Sequence, residues 1–369
     1  PYHLLWEVNL AESLVTSMDP EGPSPLPREG FSLAATSTGI ALYGGRTPEG
    51  MVHGDLWVYE FEHHEWALQG EGGPPRTDPL LAVTGDVFRL TGGFEPSGAP
   101  AEDVWSTPLT GGDSAWTPVD GPRPAGRVGG AVAADVLHGE LCLTGGVATG
   151  TAGPVWTEDV WCRTGPQGPW SLAAAAGGPP SAFSTLSHDP VQDRYLLLGG
   201  AAADAVGAPI PLAPICGFHA FHRASGTWED LGGCGAEDPP APLQRAGHAA
   251  AVRLSDATLW VFGGLTPGGM VNDLWRMDLE TGLWIQVPLN APPAARYGHH
   301  LFVREDGDLI VAGGQGGQGS IELIRTNQGT SKSLASLPWT AVPWLVAVYD
   351  PQADQLLVGD GTQAAILTL

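Results

Sequence analysis

Arg245-Ala246-Gly247-His248 opens a segment that runs through a small apolar stretch to Leu254 and on to Trp260-Val261-Phe262-Gly263-Gly264. A short polar loop follows, then Asn272-Asp273-Leu274-Trp275 and Thr281-Gly282-Leu283-Trp284. Apolar runs of five to ten residues, bounded by Gly, Asp and Thr, are the pattern of short strands joined by turns. The spacing predicts strands over 245–254, 258–263, 270–277 and 283–287. The tight turn at Ser255-Asp256 suits its place because Asp bonds nearby backbone amides.

The same order recurs along the chain. Apolar runs end in a diglycine at Gly44-Gly45, Gly92-Gly93, Gly145-Gly146, Gly199-Gly200, Gly263-Gly264 and Gly313-Gly314, with a degenerate seventh copy at Gly359-Asp360. Successive copies lie 46 to 64 residues apart, and the wrap from Gly359 through the chain ends to Gly44 has the same size. Such a period marks a repeat architecture whose units bury their faces only by stacking. Paired aromatics close the copies at Trp57/Trp66, Trp105/Trp116, Trp161/Trp170 and Trp275/Trp284; Phe218/Trp228 replaces the first Trp, and Ile321-Glu322-Leu323 has lost both.

With Arg296-Tyr297-Gly298-His299 and Arg245-Ala246-Gly247-His248 opening two copies, and Arg28 and Arg127 opening partial ones, the chain resembles the kelch-repeat β-propellers over its full length. The resemblance implies an all-β fold, a seven-bladed kelch-type propeller of four-stranded sheets forming one domain over 1–369. The last copy, 338–369, is short of a fourth strand, and residues 2–10 with Trp6 are expected to supply it and close the ring. Six blades are the alternative, because the last copy lacks its second glycine. The diglycine is expected to allow close backbone approach and unusual φ where the second strand ends.

Composition limits the function classes. The chain has 369 residues, 16 Lys+Arg against 40 Asp+Glu, and a formal net charge of −24. That field repels phosphate backbones and anionic membranes, so neither nucleic acid nor membrane insertion is expected. Gly 53 and Pro 34 are spread among apolar alternations, and 14 Trp argue for a packed protein. The chain opens at Pro1 with no stretch resembling a signal peptide, which reads as a processed, trimmed or externally defined start.

Four cysteines remain. Cys142 and Cys162 are equidistant from a loop centred near 152, and Cys216 and Cys234 from the turn at 225–226. Both pairs should sit cross-strand at disulfide distance. The even count favours an oxidising setting, extracellular, periplasmic or at the cell surface; four free buried thiols and a cytoplasmic setting are the alternative. Neither pair has zinc-site spacing, and no metal or cofactor is expected.

Candidate chemistry is sparse. His248 and His299 occupy a repeat position and read as structural, as do Asp55, Asp103, Asp159 and Asp273 before their strand-three residues. His63 and His64 lie at a hairpin tip. His219 and His222 fall on opposite strand faces and cannot easily share a metal. The resemblance extends to enzymatic propellers, but the copper radical oxidases need tyrosine and histidine ligands with a Tyr–Cys crosslink, and the six tyrosines here mostly occupy repeat positions. No helical region of the kind that precedes the propeller in cullin adaptors is present. Arg127, Arg245 and Arg296, near one mouth of the funnel, are candidate ligands for a carboxylate; salt bridges to the repeat aspartates of neighbouring blades are the alternative. The expected function is a non-catalytic binding module, secreted or surface-displayed, recognising a protein or glycan through its long-loop face. An enzyme acting at the funnel on a small acid or sugar, and a structural subunit of an extracellular assembly, are the other readings.

Overall fold

The computed structural model describes residues 5–9, 14–17, 22–36, 38–84, 87–99, 101–109, 115–135, 137–150, 153–165, 168–202, 213–234, 240–317, 319–336, 345–350 and 354–360. Regular structure among them is β-strand, apart from one 3-10 turn at Leu254–Asp256.

The segment quoted first forms Ala249–Arg253, Thr258–Thr266, Gly269–Asp278 and Trp284–Val287, hydrogen-bonded in chain order as an antiparallel meander. Ala251 faces Trp260 across the first pair and Val261 faces Trp275 across the second. The central hairpin continues three residues beyond the expected end of the second strand, through a register shift at Phe262/Gly264, and turns at Pro267-Gly268.

Six four-stranded sheets are built from consecutive segments: sheet I over 32–70, II over 80–118, III over 131–174, IV over 185–230, V over 249–287 and VI over 300–336. A further four-stranded sheet is composite, in the order Leu345–Asp350, Gln355–Asp360, Leu5–Asn9 and Leu14–Ser17, read from the opposite edge. Val8 faces Leu356 and Trp6 faces Val358 in that pairing. The N-terminal segment is therefore its third strand rather than its fourth, and Leu14–Ser17 takes the outer edge. The expected third strand near the C-terminus, 364–369, lies outside the described residues.

Two compact units are distinguished. The first comprises 1–127, 163–171 and 344–369; in it the first strand of sheet I lies beside those of sheet II and the composite sheet. The second comprises 128–162 and 172–343; in it the first strands of sheets III to VI follow one another as neighbours.

Packing between sheets is apolar. In the first unit Ala41, Tyr43 and Val58 of sheet I share a buried cluster with Leu81, Val83, Phe88 and Leu90 of sheet II. Trp116 on the last strand of sheet II stacks at 4.9 Å on Tyr43. In the second unit Leu196, Leu198 and Phe218 of sheet IV meet Val261, Trp275, Met277 and Trp284 of sheet V, with Phe218 and Trp284 at 5.5 Å. The closing tryptophans of these two copies thus wedge against the preceding sheet. Full burial of an aromatic side chain contributes about 1.5–3 kcal/mol, so the stacking of sheets carries much of the stability.

The diglycines sit at these junctions. Gly44, Gly145, Gly199 and Gly263 all have positive φ. A Cβ there would come within 2.3–2.9 Å of a carbonyl at the start of the next sheet: that of Arg76, Ser181, Arg245 or Arg296. The second glycine donates its N–H to the same carbonyl at 2.8 Å in all four cases. The pair therefore does what its position in the sequence suggested, letting two sheets touch backbone to backbone.

A second seam runs along the entry turns. Phe183 N–H donates to the Gly129 carbonyl, Gly247 N–H to that of Phe183 and Gly298 N–H to that of Gly247, at 2.7–2.9 Å. Every residue in this row has positive φ, including Phe183 at 58°, an uncommon conformation for a bulky side chain.

Candidate functional site

The first strands of sheets I, II, III, V and VI are each preceded by an arginine whose setting recurs, while Ser181 holds that position before sheet IV. Nε of Arg28, Arg127, Arg245 and Arg296 donates to the carbonyl two residues earlier, at 2.9–3.0 Å. Nη1 of Arg28, Arg245 and Arg296 reaches the carbonyl of the first glycine of the same sheet's diglycine. The guanidinium then meets an acid on or just before the third strand of that sheet: Arg28 with Asp55, Arg76 with Asp103, Arg245 with Asp273, Arg296 with Glu322. The same aspartates accept the indole N–H two residues on, from Trp57, Trp105 and Trp275, and Asp159 accepts that of Trp161.

This arrangement corrects part of the sequence reading. The salt bridges join strands within one sheet, not neighbouring sheets. Arg245 and Arg296 are fully buried, with their donors directed at protein acceptors, which leaves no face of either guanidinium for an incoming carboxylate. Arg127 is partly exposed and holds the same local turn through Ala125. It belongs to the other unit from Arg245 and Arg296. Arg76, which the sequence reading passed over, belongs to the series despite the unusual run Arg76-Thr77-Asp78-Pro79 that follows.

Burial alone would raise the carboxyls of Asp55, Asp103 and Asp273. Hydrogen bonds and charge from the arginine, with the indole N–H, outweigh it and hold all three below the ordinary value. Sheet VI has no closing tryptophans and keeps the clamp differently. Ser320 stands where the aspartate would be and Glu322 where the Trp would be; Glu322 takes Arg296 Nη2 at 2.5 Å while Ser320 bonds both.

The repeat histidines are buried beside these clamps. His248 Nε2 lies 2.8 Å from Thr185 Oγ1 of sheet IV, and His299 packs edge-on against Phe262. His248 thus bonds the neighbouring sheet rather than its own backbone. Burial lowers His248 to about 3, with Arg245 adding to the effect, and lowers His299 strongly. His63 and His64 occupy the exposed turn between the last two strands of sheet I.

Cys142 and Cys162 are joined across strands two and three of sheet III, with Cα atoms 4.1 Å apart, and both are fully buried. Cys216 and Cys234 are joined at 5.5 Å beside strands three and four of sheet IV.

The clamps stand at the end of the sheets from which the long loops leave. Those loops run from the diglycine to the third strand, and in sheets III to V they form further hairpins, at Val147–Gly150 with Gly153–Trp156, Ala201–Ala202 with Ala213–Pro214, and 264–271. Among the described residues they expose Met51, Val155 and Met270, and the linkers just before the clamps expose Leu26 and Leu243. Glu49, Glu95, Glu102 and Glu158 stand among them, Glu49 and Glu102 exposed and the other two partly so. The opposite end has short turns that expose Leu137, Val191 and Leu254.

A family model described as the KLHDC2/KLHL20/DRC7 Kelch-repeats domain matches residues 2–200 and 213–362. The chain belongs to the kelch-repeat family. Its fold is accordingly an all-β kelch propeller. Kelch domain-containing protein 10 of Xenopus tropicalis is 26% identical, over 88% of this chain and 78% of that protein. The serine/threonine-protein phosphatase BSL2 of Arabidopsis thaliana is 28% identical over 84% of the chain, which spans only 28% of the phosphatase. Multiple epidermal growth factor-like domains protein 8 of Mus musculus is 33% identical over 34% of the chain and 5% of its own length. No helix among the described residues is long and apolar enough to cross a membrane.

Proposed function

We propose that this kelch propeller is a non-catalytic interaction module that binds a protein partner at its diglycine end. Kelch propellers generally act through protein contacts, and the observation that carries the reading is the combination at that end. In the second unit three exposed apolar side chains, Val155, Leu243 and Met270, project from the loops and the linker that leave this end, with Glu158 on the same loops and the Arg245–Asp273 clamp at their base. Apolar anchors within a charged rim are the anatomy of a protein interface. A partner with basic residues around an apolar contact suits a chain of net charge −24. Glycan recognition is a weaker fit, because the exposed aromatic faces on which sugars stack are not among these residues. The funnel-enzyme reading rested on Arg127, Arg245 and Arg296, and the charges of Arg245 and Arg296 are already matched by Asp273 and Glu322.

We propose seven blades. Six come from sheets continuous in sequence, and the composite sheet, complete with four strands, serves as the seventh and uses the chain ends to cover each other's edges. The two cysteine pairs support an oxidising setting, secreted or surface-displayed. Mass spectrometry of the native protein, alkylated with and without reductant, checks that setting: four thiols alkylated without reductant would remove it.

Site-specific photo-cross-linking tests the interface. A photoreactive residue at Val155 or Met270 should trap one defined partner in the source cell, and the same residue at Val191 or Leu254 should not. Equal trapping from both ends would refute the assignment of the face.

A further inference from the structure

Two turns of the second unit bring together four side chains that no function described above uses. Asp135 ends the first strand of sheet III and His138 follows in its turn; His188 stands next to the end of the first strand of sheet IV, and Asp193 closes that turn. One ligand atom from each lies within 4.8 Å of all the others. We propose that Asp135, His138, His188 and Asp193 form a binding site for a zinc-class divalent cation that staples sheet III to sheet IV.

The distances fit such an ion. Zn–N and Zn–O bonds of 2.0–2.2 Å at tetrahedral angles place neighbouring donors about 3.4 Å apart. His188 Nε2 lies 3.3 Å from Asp193 Oδ1 and 3.5 Å from Asp135 Oδ2, and His138 Nδ1 lies 3.8 Å from Asp193 Oδ1. The fourth contact, His138 Nδ1 to Asp135 Oδ2 at 2.6 Å, is a hydrogen bond that a cation would replace by a small opening of the exposed His138 ring.

The chemistry of the donors selects the metal. Two imidazoles argue against calcium and magnesium, which take oxygen shells, and two carboxylates with no thiolate argue against copper(I). With neutral imidazoles the set carries two negative charges, which one divalent ion neutralises.

The surroundings support a built site rather than a chance meeting of surface charges. Asp135 is 3% exposed and His188 8% exposed, so half of the set is held in the protein. His138 and Asp193 are exposed and give an ion its way in. Asp135 Oδ1 accepts the backbone N–H groups of Leu137 and His138, which aims Oδ2 at the cluster. The His188 ring packs 5.2 Å from Tyr195, whose hydroxyl donates to Glu140, and Arg223 anchors Glu140 in turn. Outer contacts of this kind orient ligands and tune affinity. The site lies at the end of the sheets opposite the proposed protein interface, and it does not depend on that reading.

Calorimetric titration of the intact chain with zinc chloride alone, together with thermal melts, tests the proposal. The expected result is one saturable site and a raised Tm, because an ion that binds only the folded state stabilises it by mass action. His138→Ala and Asp193→Asn alter exposed side chains and should fold, as far-UV circular dichroism will check. Each should weaken binding by about tenfold or more and reduce the Tm gain. His63→Ala/His64→Ala should change neither. No saturable binding to the unaltered chain would overturn the proposal. So would unchanged affinity in His138→Ala and Asp193→Asn, or loss of binding in the His63/His64 variant.

Discussion

At the scale of the residue, the buried arginine that precedes the first strand in most of the sheets is decisive. Arg245 is fully buried, and Asp273 neutralises it with two hydrogen bonds at 2.8–2.9 Å. Removing one partner strands the other charge, which typically costs 3–5 kcal/mol, whereas removing both together costs much less. Arg245→Met and Asp273→Asn should each lower unfolding stability in urea by about that amount, and Arg245→Met/Asp273→Leu by clearly less than the sum. Strict additivity would show that the pair is not a unit. His248 adds a pH dependence with a defined sign. Its folded-state value is lowered to about 3, so below its ordinary value of 6.5 the unfolded chain binds the proton and the native chain does not. Stability should therefore fall with pH from about 6.5 downward, by up to about 1.4 kcal/mol per pH unit for one such group. Urea unfolding near pH 7 and pH 5 should show the loss, and His248→Gln should show a smaller one. Equal losses in the two proteins would contradict the assignment.

At the scale of the element, sheets I, II and V combine a clamp, a diglycine and a closing tryptophan, and the departures from that pattern elsewhere are informative. Sheet VI keeps its clamp by exchanging roles between Ser320 and Glu322, a substitution by reach rather than by type. Sheet III carries the buried Cys142–Cys162 link between adjacent strands, closing a loop of about 20 residues. Chain entropy assigns such a link about 3 kcal/mol. Reduction, or Cys142→Ser/Cys162→Ser, should lower the unfolding free energy by roughly that much; no change on reduction would mean that the native protein holds free thiols there. Most of this was legible in the sequence, because glycines, tryptophans and aspartates recur at fixed places and each place has one physical task. The partner of each arginine was not, since spacing alone does not say whether an acid 26–28 residues away lies on the same sheet or the next. The strand order of the composite sheet was missed for a related reason: the expected strand at 364–369 took the third place that Leu5–Asn9 fills.

At the scale of the whole molecule, the kelch repeat accounts for the fold, and function resides in what the sheets display. The proposed cation site shows why a repeat is hard to read for function. Asp135 and His138 stand some fifty residues from His188 and Asp193, each within an ordinary polar turn, and only the stacking of two sheets makes them a set. In the sequence Glu49, Glu95, Glu102, Glu158 and Asp204 fall in or beside the segments between diglycine and third strand and mark them as acidic, whereas the apolar side chains there gained meaning only once burial separated exposed Met51 and Met270 from core residues of similar type. The central claim is that this end recognises a protein partner. Its most direct test is the affinity of the cross-linked partner, measured in solution, for Val155→Asp/Met270→Asp and for Val191→Asp/Leu254→Asp, both checked for folding. A loss of about tenfold or more, about 1.4 kcal/mol, is expected for the first variant and affinity near that of the unaltered chain for the second. The reverse pattern, or full affinity in both, would contradict the claim.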